Sequence, residues 1–280
     1  MPMPEGVRIA ITEVLAVVTG PGQEGVLGVG DMLASRWGGR LTVLLLEQLP
    51  EPVLGDPIYS STLWSQLVAQ ARERFTRDRN AVRKELDGLC ATVEFRHEET
   101  MLGGVEALVA KHAMHADLTV LAASKGASPE AAFEGALFKS GRPLLLVPME
   151  EKPQAVDKRI VVAWKAKREA ARALTDAEPF LREADQVTVV TVDAHPDGYG
   201  EGPGRDISTY LAHKGLNVEL RNIDGLGQPA EVALIKEARA LEADLIVMGG
   251  YGHSRLREFV FGGVTRALSR KATIPVLMSH

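Results

Sequence analysis

The segments "DLTVLAA" at 117–123 and "DLIVMGG" at 244–250 are near-copies of one another, set apart by about the length of a domain. Each follows an alanine that ends a helix-like stretch. Each precedes a proline that opens a short apolar run, Pro143 in "RPLLLVP" and Pro275 in "IPVLMSH". Near the start of each half stands another apolar run, "VLAVV" at 14–18 and "RIVVAW" at 159–164. A repeat at this spacing confines the chain to two copies of one fold. The break falls in "MEEKPQAVDK", residues 149–158, which is charged and carries Pro153. Domains are therefore expected over 1–150 and 157–280.

Within each half, short apolar runs alternate with stretches of helical periodicity. In the second half, strands are expected at 159–164, 187–192, 217–221, 244–248 and 275–278. One helix is expected through "REAARALTDAEPFLREA", where Ala170, Leu174, Ala177 and Leu181 recur on one face. Another runs from about 229 to 242, with Pro229 suited to its first turn. The first half reads the same way, with strands near 13–18, 41–46, 92–96, 118–122 and 144–147. Strands that are apolar on both faces and alternate with helices mean a parallel sheet covered by helices. The expected class is α/β, as two tandem doubly wound domains of five parallel strands each.

Charge and length narrow the partners. The formal net charge of -5 disfavours sequence-independent nucleic-acid binding, which needs a basic face. No apolar run reaches the length of a membrane span. The start, "MPMPEGVRIA", has no charged region followed by an apolar core, so no signal peptide is expected. Cys90 is the one cysteine, which excludes an intramolecular disulfide. A cytoplasmic location is expected.

The second copy continues past its strand as "VMGGYGHSRLREFVFGGVT", residues 247–265. In an open parallel sheet, ligands bind beyond the carboxyl ends of the strands, where the strand order reverses. A helix N-terminus there offers free N–H groups to phosphate, and glycines let the backbone approach closely. On that reading Gly249 and Gly252 line a turn, and Gly262 and Gly263 present N–H groups. Thr265 adds a hydroxyl, while His253, Arg255 and Arg257 add positive charge. The plainer reading gives the same glycines to tight turns and helix caps. The spacing is neither the dinucleotide fingerprint nor a Walker loop.

The segment "VMGGYGHSRLREFVFGGVTRALSRKATIPVLM" resembles the carboxyl-terminal signature of the universal stress protein family, and the resemblance extends over the chain as two copies. The family pattern is Gly, two residues, Gly, nine residues, Gly, then Ser or Thr, matched here by Gly249, Gly252 and Gly262. Gly263 stands in the Ser/Thr place. Lys165 stands where an Asp commonly sits beside the adenine, and Val192 fits the apolar adenine contact. The resemblance implies an adenine-nucleotide α-hydrolase-like fold and ATP in the carboxyl-terminal domain alone. Its implied contacts are Ala163, Lys165, Val192, Met248, Gly249, Gly252, His253, Arg255, Gly262, Gly263, Val264 and Thr265. It also implies an intrachain pseudo-dimer in which "LLLV" and "PVLM" pair as sheet edges. Further homodimerisation is left open.

The first copy departs from this pattern. Ala122 and Lys125 stand where the second has Gly249 and Gly252, Gly135 does not restore the spacing, and Thr19 replaces the usual Asp. ATP is not expected there. His112, His115 and Asp117 could in principle hold zinc, but His112 continues the apolar face of Val105 and Leu108 and reads as a helix-end histidine. "KREAARAL" and "ARERFTRDRNAVRKEL" read as solvated mixed-charge faces. The motif loop assembles no acid, base, nucleophile or metal set, so no catalytic residue is named. The expected role is regulatory, in a stress response, with slow ATP hydrolysis at most. A nucleotide-independent interaction scaffold is the alternative.

Overall fold

The computed structural model describes residues 11–51, 61–149, 153, 155–193, 202, 204–250 and 263–280. The chain forms two compact units. The first is built on Thr12–Arg142, and the second on Pro153–His280 together with Pro143–Pro148.

The first unit holds strands β1 (Glu13–Val18), β2 (Arg40–Gln48), β3 (Thr92–Thr100) and β4 (Leu118–Ala122). Its helices are α1 (Glu24–Arg36), α2 (Ser61–Leu86), α3 (Leu102–Ala113) and α4 (Ala127–Glu134), and a π-helical turn over Gly135–Lys139 continues α4. The strands lie in the order β3-β2-β1-β4, with every pairing parallel. The runs that predict strands are buried on both faces: Val14 through Val18 and Leu41 through Leu46 are all under 9% exposed. That is the pattern of a parallel sheet with helices on both sides.

The second unit contains β5 (Leu144–Val147), β6 (Arg159–Ala163), β7 (Gln186–Val192), β8 (Val218–Ile223), β9 (Leu245–Gly249) and β10 (Val276–Ser279). Between them run α5 (Arg168–Asp176), α6 (Glu178–Leu181), α7 (Arg205–His213), α8 (Ala230–Ala240) and α9 (Gly263–Lys271). The order is β5-β10-β9-β6-β7-β8. Five of these strands are mutually parallel, as expected. β5 is antiparallel to β10, with Leu146 opposite Val276 and Leu144 opposite Met278, which is the pairing of "LLLV" with "PVLM". β5 thus clusters with the second unit although its sequence follows the first copy.

From β6 the chain winds outward through β7 and β8, then crosses back to β9 and β10. Right-handed crossovers taken in opposite directions place their helices on opposite faces, which makes the unit doubly wound. The single helix expected over 168–184 is in fact two. It breaks at Ala177, and Pro179 lies in the first turn of α6. A proline ring cannot continue a helix begun upstream without losing a backbone bond, but it is tolerated in a first turn.

The repeated Asp has one structural role in both copies. Asp117 Oδ2 accepts the backbone N–H groups of Thr12 at 3.0 Å and Glu13 at 3.1 Å. Asp244 Oδ2 accepts from Lys158 and Arg159, each at 3.1 Å. In each unit the carboxylate before one central strand thus fixes the start of its parallel neighbour. Asp117 is therefore committed to backbone rather than free as a metal ligand.

Candidate functional site

The strand order of the second unit reverses between β6 and β9. At that point Ala163 lies in register with Met248 on one side and Val190 on the other. Ser279 is in register with Gly249. The carboxyl ends of β6, β7, β9 and β10 therefore bring together Ala163, Val192, Met248 and Gly249, the position at which doubly wound sheets bind ligands. Ala163 and Val192 are half-buried, Met248 is buried, and Lys165 is exposed two residues beyond β6. Beyond β9, Gly252, His253, Arg255 and Gly262 lie outside the described residues. The structure resumes at Gly263, the first residue of α9, with Val264 half-buried and Thr265 only 3% exposed. Thr265 is thus among the buried residues of α9 and not on an open surface.

Gly249 has a reason for being glycine that its sequence neighbourhood does not show. A Cβ built there would stand 2.5 Å from the backbone nitrogen of Ala170 and 2.7 Å from the carbonyl carbon of Glu169. The first turn of α5 rests directly on the end of β9, and no side chain fits between them. Glu169, in that turn, is 7% exposed. Burial is the largest influence on its carboxyl and disfavours its charge. The Arg168 guanidinium at 2.7 Å and a backbone N–H outweigh it, and the group is held below the usual carboxylate range. The helix N-terminus favours the same anion. The reading of "KREAARAL" as a solvated face is corrected here: Arg168 is exposed, but Glu169 faces inward.

Backbone ties hold the neighbouring loops. Gly250 donates its N–H to Ser279 at 2.8 Å, and its carbonyl meets His280 Nδ1 at 2.9 Å. After β7, Asp193 adopts φ 47 and its carboxylate accepts the Gly225 N–H at 2.7 Å, joining the β7 and β8 loops. Lys165 and Lys167 are exposed between β6 and α5, and Arg168, exposed and paired with Glu169, opens α5, so this strand end is net positive. Sequence reading names Lys165 at this strand end, but not Lys167, Arg168, Glu169 or His280. The run "KAKR" just before a helix start is the signal that points to two of them, Lys167 and Arg168.

The first unit reverses between β1 and β4, where Val17 is in register with Leu121. Its crevice is built differently. Gln23 is 8% exposed and its Nε2 donates to Thr19 Oγ1 at 3.0 Å, so a side chain occupies the ground beyond β1. Residues 123–126 connect β4 to α4. Gly135 serves packing: a Cβ there would lie 2.2 Å from the carbonyl oxygen of Glu106 on α3.

His112 closes α3 of this unit with its side chain 9% exposed. Its Nδ1 is 3.3 Å from Arg96 Nη1 and its Nε2 is 3.7 Å from Glu98 Oε1. Burial, then the Arg96 charge, holds its pKa below the ordinary histidine value, against a weaker pull from Glu98. A neutral buried imidazole stabilises the fold above the unfolded-state pKa, and that stability is lost as the pH falls. Acidification from pH 7 to 5 is expected to lower the unfolding midpoint of the wild type more than that of His112→Gln. Thermal unfolding across that range checks this, and equal losses in both proteins would contradict it.

Comparisons with known proteins follow the same division. Residues 158–280 match the universal stress protein family model. A stress response protein NhaX of Bacillus subtilis is 44% identical over 52 residues, 19% of this chain and 31% of that protein. The universal stress protein Slr1230 of Synechocystis is 44% identical over 67 residues, 24% of this chain and 22% of that protein. These matches span about a third or less of each relative's length. In fold, the chain is similar over 95% of its length to 95% of a universal stress protein from Archaeoglobus fulgidus, with a TM-score of 0.66 at 18% identity. A protein from Pseudomonas aeruginosa solved as a putative universal stress protein gives 0.56 at 15% identity, over 96% of this chain and 93% of that one. The match to the universal stress protein family model and the glycine spacing after β9 thus fall together in residues 158–280, and the fold over the whole chain is similar to that of solved universal stress proteins.

Proposed function

We propose that this is a cytoplasmic regulatory protein of the stress response whose second unit binds an adenine nucleotide, ATP in the first instance. One observation carries the reading: Ala163 and Met248 are in register across the switch point, and the Gly-x2-Gly-x9-Gly segment leaves from that strand end. The base would lie against Ala163, Val192 and Met248. The phosphates would meet the N–H groups at the start of α9, with Lys165, Lys167 and Arg168 adding positive charge. Lys165 donates hydrogen bonds and cannot accept them, so it suits a phosphate better than a base amino group. Nucleotide occupancy acts as a signal only by binding one conformation of the chain better than another.

Extraction of the purified protein is expected to release bound nucleotide, or calorimetry to detect ATP. Gly262→Val is expected to abolish binding by blocking the backbone approach, and Lys125→Gly to leave it unchanged. Steady phosphate release with a defined turnover would move the reading to an ATPase. The scaffold reading has one observation in its favour. Packing against α5 already requires Gly249 to lack a side chain, so that glycine is no evidence for a ligand. Gly262 is therefore the informative position, and unchanged ATP binding by Gly262→Val would favour the scaffold.

A further inference from the structure

The break between α5 and α6 leaves a cavity of about 280 Å³ between these helices and α7. Its interior is aliphatic, with Leu174, Leu181 and Leu211 each at most 6% exposed. Tyr210, 51% exposed, stands at its outer wall. It is open to solvent on one side, where Ala171, Thr175, Arg182, Tyr210 and Lys214 are exposed, and floored by the three buried leucines. It lies on the outer helical layer, with none of its lining residues among those at the switch point.

The charges at the rim are unequal. Glu178 is the one acid in the lining, and its side chain is 13% exposed. Both cations of the lining lean on the same oxygen: Arg182 Nε reaches Glu178 Oε1 at 3.0 Å and Lys214 Nζ stands 3.6 Å from it. Lys214 also lies 5.2 Å from the centre of the Tyr210 ring. Arg182 and the nearby Lys214 keep the Glu178 carboxyl below the usual range, so one negative charge serves two positive ones at neutral pH. An apolar interior, an aromatic wall and one surplus cation fit a small organic anion with an apolar body.

We infer that the cavity between α5–α6 and α7 is a second ligand site, for a small carboxylate with an aromatic or branched aliphatic body. The apolar body fills the space among the leucines. The carboxylate takes up the charge of Lys214 and Arg182 that Glu178 leaves unbalanced. The site is independent of the nucleotide reading.

The test uses the full-length protein labelled with nitrogen-15 and three matched probes: 4-phenylbutyrate, 4-phenylbutanol and 4-phenylbutylamine. Titration with 4-phenylbutyrate is expected to shift amides of α5, α6 and α7 with a Kd of about 1 mM or tighter. The alcohol and the amine are expected to bind at least about ten-fold more weakly, since each loses a charge-assisted contact. Ala171→Trp, at an exposed position on the mouth, should weaken the butyrate about ten-fold without cutting into the core. Lys214→Gln should weaken it while leaving the alcohol unaffected. Excess ATP should not displace it. Equal binding of the three probes, shifts confined to other elements, displacement by ATP, indifference to Ala171→Trp, or no shift at 10-fold the expected Kd would each overturn the inference.

Discussion

Replacing Arg79 with alanine is expected to destabilise the first unit by about 3 kcal/mol, the scale for breaking a buried ion pair. Arg79 on α2 forks onto Glu47 at the end of β2: Nε donates to Oε1 at 2.6 Å, and Nη2 to Oε2. Nη2 also donates to Glu99 at the end of β3, at 3.0 Å. The Glu47 side chain is 2% exposed, so truncating its partner leaves a charge with neither water nor a counter-ion. Arg72 is 60% exposed and among the described residues pairs with Glu99 alone, so Arg72→Ala is expected to cost under about 1 kcal/mol. The double variant Glu47→Leu, Arg79→Leu should recover most of the loss, since it removes both charges together. Urea unfolding of the four proteins checks this. A loss at Arg79 no larger than that at Arg72 would mean that Glu47 is solvated.

Gly249→Val is expected to cost the second unit more than about 3 kcal/mol, as overpacking against backbone cannot be relieved by a rotamer change. The clash is with the backbone of Glu169 and Ala170, so α5 must lift from β9. Hydrogen exchange localises the damage: amides of β9, β10 and α5 should lose protection while those of β1 and β2 keep it. Gly249→Ala should show the same pattern, less severely. Normal protection in Gly249→Val would show that α5 does not rest on the strand end.

These two sites mark where sequence reading stops. The inner strands were legible because a parallel sheet buries both their faces, so each is an apolar run, whereas the edge strands β3 and β8 are polar and half-buried. Leu245–Gly249 and Gln186–Val192 are plain from their side chains alone. The duplication was legible too, in "DLTVLAA" and "DLIVMGG". What the repeated Asp does was not, because its partners lie about 85 to 105 residues earlier in the chain. Arg79 belongs to a helix of mixed charge, and periodicity does not say which cation on it faces a buried acid 32 residues away. The expected solvated face is in part a buried pair. Gly249 was read for its local pattern, as a phosphate position. Its packing against α5 depends on a contact with residues 169 and 170, which no local pattern contains. The helix over 168–184 was overextended because Leu181 keeps helical phase across Ala177, although Pro179 was the warning.

At the switch points the contrast between the two units is the central point. Gln23 and the short 123–126 connection stand in the first, and the Gly-x2-Gly-x9-Gly sequence of 249–262 stands in the second. If the proposed nucleotide site is right, one nucleotide is expected per chain. The direct measurement is a calorimetric titration of the full-length protein with ATP. The expected result is saturation at one ATP per chain, lost in Gly262→Val and retained in Lys125→Gly. Two equivalents per chain, or no heat of binding at millimolar ATP, would contradict it.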